Sequence, residues 1–179
     1  MKMKYIALML SVFLSFGVFA TGCSSSEDSQ QQILDSREVD FSEIGLKYTT
    51  PESWQEYTKT NNIYPFTYEE DFTIENIRYN YITPDDWKTI SGAEDGFRID
   101  DYLYPICEIV VVQTENADKL KSSGLYTTFS SRDLIKENNG VSYYLFYDYV
   151  GSIRKMGDEN VESYDNICSA RDELTQSIT

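Results

Sequence analysis

Runs of hydrophobic residues predict six β-strands between positions 46 and 150. A strand with one buried face alternates apolar and polar side chains, whereas a strand buried on both faces is apolar almost throughout. Residues 106–112, ICEIVVV, follow the second pattern and are rich in β-branched side chains, so we predict them at the centre of a sheet. The other five predicted strands cover residues 46–50, 63–68, 72–82, 125–136 and 141–150.

The segments between these strands carry turn signals. Asn139 and Gly140 separate the last two strands and tolerate the positive φ angles of a tight hairpin, so we predict a hairpin there. Residues 83–87 contain a proline and two aspartates and predict a turn. Residues 88–104 predict a loop or a short irregular helix, and residues 116–123 predict a short helix. The alternation within 72–82 changes phase at Asn76, which predicts a bulge.

A helical pattern closes the chain. Apolar residues recur at three- and four-residue intervals from Val161 to Ile178, and Asp158 is the predicted N-cap. The sequence therefore predicts an α+β domain, in which an antiparallel sheet of five to seven strands carries a C-terminal helix across one face.

The first 23 residues follow the pattern of a secretory signal. Lys2 and Lys4 precede an apolar run of about 15 residues, shorter than the roughly 20 that a membrane-spanning helix needs. Small residues then lead directly to Cys23, an ending that resembles the lipobox of bacterial lipoproteins, although Ala20 stands where leucine is commonest in that family. The resemblance implies cleavage after residue 22 and attachment of a diacylglycerol to Cys23. An ordinary secretory signal with an incidental cysteine is the alternative.

This start of the chain predicts three regions. Residues 1–22 are the predicted signal peptide, residues 23–43 a flexible linker, and residues 44–179 a single domain. The residues after Cys23 are serine, glutamine and acidic residues, which offer nothing to bury. Because two acyl chains hold a protein stably at a bilayer, we expect the domain to be tethered to the extracytoplasmic face of the cell membrane.

Composition argues against several classes of function. The net charge of −15 repels phosphate backbones, so we expect no nucleic-acid partner, and membrane association through the lipid alone. The chain contains no histidine, the commonest general base and metal ligand, and no phosphate-binding, nucleophile-elbow or zinc-protease motif. We therefore predict no catalysis, no cofactor and no metal. Paired carboxylates acting as acid and base are the enzymatic alternative.

Tyrosine is abundant, with 15 residues, and is densest in the predicted strand 141–150. Tyr143, Tyr144, Tyr147 and Tyr149 are the candidate ligand platform, because each combines an apolar ring with a polar tip. Burial in the core is the alternative for these side chains.

Two further residue sets leave alternatives open. The acidic clusters are solvated surface or a divalent-cation site. Cys107 and Cys168 are either a disulfide or two buried thiols. The acidic clusters are Glu69-Glu70-Asp71, Asp85-Asp86, Glu94-Asp95 and Asp100-Asp101.

Residues 44–178 also resemble the PsbP-like fold family. The similar features are the opening segment 45–54, which runs from a strand through Pro51 to Trp54, and the amphipathic helix that follows an aromatic hairpin. The resemblance implies an α/β/α sandwich used as a non-catalytic binding module, and it carries over no functional residue. We expect a surface lipoprotein whose domain binds a peptide, a glycan or a protein. A structural or assembly component of the cell envelope is the alternative.

Overall fold

The computed structural model describes residues 37–93, 99–153 and 156–179. The strands are β1 (Glu38–Phe41), β2 (Leu46–Thr49), β3 (Ile63–Tyr68), β4 (Thr73–Tyr81), β5 (Tyr104–Gln113), β6 (Phe129–Asn138) and β7 (Val141–Tyr149). The α-helices are α1 (Gln55–Lys59), α2 (Pro84–Ser91), α3 (Leu125–Thr128), α4 (Asp158–Ser169) and α5 (Arg171–Ser177). A five-stranded antiparallel sheet has the order β3-β4-β5-β7-β6, and β1 and β2 form a separate pair. This architecture confirms the predicted α+β class.

The most apolar strand lies at the centre of the sheet, as predicted. Ile109, Val110 and Val111 of β5 are all fully buried, because successive side chains point to opposite faces and both faces are covered there. The hairpin between β6 and β7 is also confirmed, with φ angles of 51° at Asn139 and 77° at Gly140. These positive angles match the twist of the flanking strands.

The folded chain begins earlier than predicted. The predicted linker reached residue 43, but Glu38–Phe41 form β1 and pair with β2. Val39 and Phe41 are buried in the core, whereas Glu38 and Asp40 are exposed. A four-residue alternation is enough to form a strand here because its apolar side chains have a core to enter. The signal peptide and Cys23 lie outside the described residues.

The two faces of the sheet are covered differently. The first face packs against the β1–β2 pair, Trp54 and the C-terminal helices in one large hydrophobic core. Trp54 is fully buried, and its Nε1 donates to the Ile167 carbonyl oxygen at 2.9 Å. This hydrogen bond links the segment that precedes α1 to helix α4. The second face has a smaller core, covered by the 3₁₀ segment Thr114–Ser122 and by α3 through Leu120 and Leu125.

Two local predictions are corrected. Residues 83–87 were predicted as a turn, but they begin α2: Thr83 caps it by accepting from the Asp86 N–H at 3.1 Å, and Pro84 occupies the first turn. The C-terminal helix is two helices, separated at Ala170. The break lets α5 reach β2, where Lys47 and Thr179 exchange two backbone hydrogen bonds of 3.2 and 2.8 Å.

No helix among the described residues is both long and apolar enough to cross a bilayer.

Candidate functional site

The structure divides the four predicted platform tyrosines between the two faces of the sheet. Tyr143 is buried on the first face, where its hydroxyl donates to the Ile44 carbonyl oxygen at 2.7 Å, and Tyr147 packs against the same core. Tyr144 and Tyr149 pack against the second core. Tyr149 does not follow the alternation of side chains between the two faces. The positive φ of 60° at Asp148 rotates the end of the strand and places Tyr149 on the second face. The four tyrosines therefore do not share one face of the sheet, and a ligand-binding role for any of them stays a prediction.

Aromatic side chains nevertheless cluster in two groups on the second face. Tyr126 and Tyr144 each lie against Phe146, with ring centroids 5.7 and 6.5 Å apart, and Phe66 lies 5.6 Å from Tyr68 at the other end. We call this set the aromatic surface; its residues are Phe66, Tyr68, Tyr126, Phe129, Tyr144, Phe146 and Tyr149. Five of the seven rings in this set are half-buried, whereas Phe129 and Phe146 are buried beneath them.

Two arginines lie on these rings. The Arg78 guanidinium is 5.4 to 5.9 Å from the ring centroids of Phe66, Tyr68 and Phe129. The Arg132 guanidinium is 4.5 Å from the Tyr126 ring centroid. A cation over an aromatic face is attracted by the quadrupole of the ring, so each arginine holds its neighbours in place and adds hydrogen-bond donors to an otherwise apolar surface.

A charged network lies beneath the Arg78 end. Glu108 on β5 is fully buried and stands directly across from Arg78 on β4, whose Nε donates to its carboxylate. The Tyr68 hydroxyl and the Asn76 side-chain amide donate to the same carboxylate at 2.5 and 2.8 Å. Arg78 also donates to the Tyr68 hydroxyl at 2.9 Å. A buried carboxylate needs this many donors because desolvation alone would cost several kcal/mol.

The network fixes the charge states of Arg78 and Tyr68. Burial alone would lower the pKa of Arg78, but the charge and hydrogen bond of Glu108, together with Tyr68 and Glu70, raise it overall, so the guanidinium stays charged. Burial, and then the negative charge of Glu108, raise the pKa of the Tyr68 hydroxyl well above its usual value. Tyr68 therefore remains a neutral hydrogen-bond donor throughout the physiological range.

Two buried amide oxygens flank Arg78 on the same strand. Asn76 Oδ1 and Asn80 Oδ1 accept no hydrogen bond from the described residues, although their amide nitrogens donate to Glu108 and to the Tyr64 carbonyl oxygen. Buried polar atoms are nearly always paired in folded proteins. Any donor to these two oxygens must therefore come from outside the described residues.

This arrangement is suited to binding. Stacked rings, guanidinium planes and neutral donors recognise a ligand by contact and hydrogen bonding. Within the described ranges, no group of three or more acidic or cysteine side chains is placed to hold a metal ion, and Glu94 and Asp95 lie outside those ranges. A shallow depression of about 490 Å³ lies between α1 and α4. Its acidic side chains, Glu52 and Glu56, are exposed to solvent, in contrast to the buried carboxylate of Glu108.

Sequence reasoning missed the central residues of this surface. Arg78 and Glu108 were each visible as a polar residue inside a hydrophobic strand, and a charge in such a position needs a partner. That signal could have singled them out. Their pairing could not be predicted, because it depends on the register of β4 with β5, which shifts between Tyr79 and Asn80.

No protein-family model matches the chain, and neither does any curated protein or solved structure.

Proposed function

We propose that the chain is a lipid-anchored binding module of the outer face of the cell membrane, and that its aromatic surface binds a neutral glycan. Cys23 carries the anchor, and the residues after it are the tether. The domain acts by binding and not by catalysis, in keeping with the PsbP-like pattern of residues 44–178. The observation that carries the ligand proposal is the set of rings and guanidinium groups on the face of the sheet with the smaller core, where Tyr126 and Tyr144 are half-buried and Arg132 is exposed.

The charge of the protein favours a neutral ligand. With a net charge of −15, the chain repels polyanions, and the positive charge of Arg78 is already neutralised by Glu108. Sugar rings combine flat apolar faces with hydroxyl groups, so they complement aromatic rings edged by hydrogen-bonding side chains. A glycan in solvent can reach Arg132 and Tyr144, since Arg132 is exposed and Tyr144 is half-buried.

The edges of the sheet are less suited to binding an extended peptide. β3 contains Pro65, which lacks a backbone donor, and β6 carries exposed Arg132 and Asp133 and a register shift between Leu134 and Lys136. Prolines, charges and bulges on edge strands hinder the addition of a further strand. These features favour the face over the edge as the contact region, and they disfavour assembly by strand addition.

The anchor is tested by comparing the natural chain with Cys23→Ser in membrane fractionation and detergent phase partition. We expect the natural chain in the membrane and detergent fractions and the variant outside them. Identical fractionation of the two chains would remove the anchor from the proposal.

The ligand is tested on an array of neutral glycans with the full chain in mild detergent. Tyr144→Ala should weaken binding at least tenfold, or about 1.4 kcal/mol, because it removes a ring of the aromatic surface. Tyr147→Ala is the matched control, since it removes a half-buried tyrosine from the opposite face of the same strand. Equal losses in both variants, or no glycan bound by the natural chain, would contradict the proposal.

A further inference from the structure

Two free thiols lie in the hydrophobic core between the sheet and the C-terminal helix. Cys107 is fully buried on β5, and Cys168 is half-buried on α4; both are unpaired in the structure. They belong to the same hydrophobic core on the first face of the sheet. Neither is part of the aromatic surface, so a reaction between the two thiols does not depend on the proposed ligand.

Two contacts hold the C-terminal helices over the part of the sheet that contains Cys107. The Tyr164 hydroxyl donates to the Pro105 carbonyl oxygen at 2.6 Å, and Pro105 precedes Cys107 by two residues on the strand. Tyr164 precedes Cys168 by four residues, about one turn of α4. This contact fixes α4 over β5 at positions that precede the cysteine in each element.

The second contact fixes the helix on the other side. The Arg171 guanidinium lies 4.0 Å from the Tyr147 ring centroid, and Tyr147 is the direct neighbour of Cys107 across β5 and β7. Arg171 follows Cys168 by three residues. The chain from Tyr164 to Arg171 therefore passes over Cys107, with Cys168 between the two points of contact.

We infer that Cys107 and Cys168 are a site of disulfide formation that ties α4 to the centre of the sheet. The partly exposed Cys168 thiolate attacks a disulfide-bonded oxidant and forms a mixed disulfide, releasing one thiol of the oxidant. The Cys107 thiolate then attacks the Cys168 sulfur and displaces the second thiol. The protein loses two protons and two electrons, and the oxidant disulfide is reduced to two thiols. An extracytoplasmic location, where disulfides persist, would supply such an oxidant.

The surroundings make this reaction slow. Burial raises the pKa of the Cys168 thiol to about 11 and that of the Cys107 thiol well above its usual value, so both are protonated near neutral pH. Since the thiolate is the nucleophile, the bond should form over a long exposure to oxidant and then persist. It is a structural cross-link and not a rapid switch.

The test uses the full chain with Cys23→Ser, which leaves two thiols, incubated with oxidised glutathione. The protein is then unfolded, alkylated and weighed by mass spectrometry. We expect a species about 2 Da lighter that takes up no alkyl group, and a digest that joins the peptides of Cys107 and Cys168. Closing a loop of about 60 residues should raise the melting temperature by roughly 5 to 10 °C, and dithiothreitol should reverse the rise.

Three results would overturn the inference. They are two alkylated thiols after prolonged oxidation, a stable glutathione adduct on Cys168 beside a free Cys107, and disulfide-linked dimers. The matched control adds Cys168→Ser, which must abolish both the lighter species and the oxidant-dependent rise in melting temperature. A rise in the control as well would show that the oxidant stabilises the chain by another route.

Discussion

The Arg78–Glu108 pair offers the sharpest test of the second face. Arg78→Leu removes the cation that is paired with a fully buried carboxylate. Tyr68 and Asn76 still donate to Glu108, but neither carries a charge. Breaking a buried pair from one side costs about 3 to 5 kcal/mol, because the remaining charge is left without compensation. We therefore expect Arg78→Leu to lose about that much of the free energy of unfolding.

Urea unfolding followed by circular dichroism measures this loss, provided that the slope of the transition is unchanged. The double variant Arg78→Leu/Glu108→Leu removes both charges and should recover most of the stability, with a coupling energy of about 2 to 3 kcal/mol. Arg132→Leu is the control, because Arg132 is exposed and stacks on Tyr126 instead of pairing with Glu108. If Arg78→Leu costs less than about 1 kcal/mol, or if the double variant is no more stable than the single one, the pair does not hold the network as we describe.

Two further predictions concern pH and backbone conformation. Burial, and then the charge of Glu69, raise the pKa of the half-buried Glu75 to about 7. The folded protein therefore binds this proton more tightly than the unfolded chain, and stability falls as the pH rises from about 4.5 to about 7. Glu75→Gln should stabilise the protein by about 1 kcal/mol at pH 8, after allowance for partial exposure, and by nothing below about pH 4.5; equal melting shifts at both pH values would contradict this. Gly140→Ala should cost about 1 to 2 kcal/mol in urea unfolding because φ is 77°, whereas Gly124→Ala, with a φ of −62° and equally open space, should be nearly neutral; equal effects would show that the backbone angle is not the cause.

The strands were predictable where a single physical requirement dominates. β5 needs apolar side chains on both faces because both are covered, and the hairpin needs residues that tolerate positive φ at Asn139 and Gly140. Sequence patterns record such requirements directly. β1 obeys the same rule, but four alternating residues are too few to distinguish a strand from a linker before its core partners are known.

Tertiary contacts decided the features that were missed. Thr83, Pro84 and the aspartates after them suit the start of a helix as well as a turn, and the pattern does not separate the two. Ala170 favours helix by intrinsic propensity, yet the helix breaks there because Leu174 and Ile178 enter the core beside β2. Propensity gives way when a redirected helix buries more apolar surface.

The sequence predicted that the candidate surface contains tyrosines, but not which tyrosines share one face of the sheet. The density of tyrosines in β7 did indicate an aromatic surface, and Tyr144 and Tyr149 belong to it. Tyr143 and Tyr147 do not, because side chains alternate between faces along a strand. The turn of the backbone at Asp148 then brings Tyr149 to the same face as Tyr144, and no sequence pattern marks that change.

The energetics of the second face connect its structure to its proposed role. Replacing a buried ion pair by apolar residues of similar volume is often neutral or stabilising, so Arg78 and Glu108 are not needed for folding in the way that Trp54 and Leu174 are. The pair does supply a guanidinium held rigidly among Phe66, Tyr68 and Phe129 on the aromatic surface. The double variant therefore separates a role in stability from a role in recognition. If it is as stable as the natural chain but does not bind glycan, the pair serves recognition. Retained binding in that variant would confine recognition to the Tyr126 and Tyr144 end of the surface.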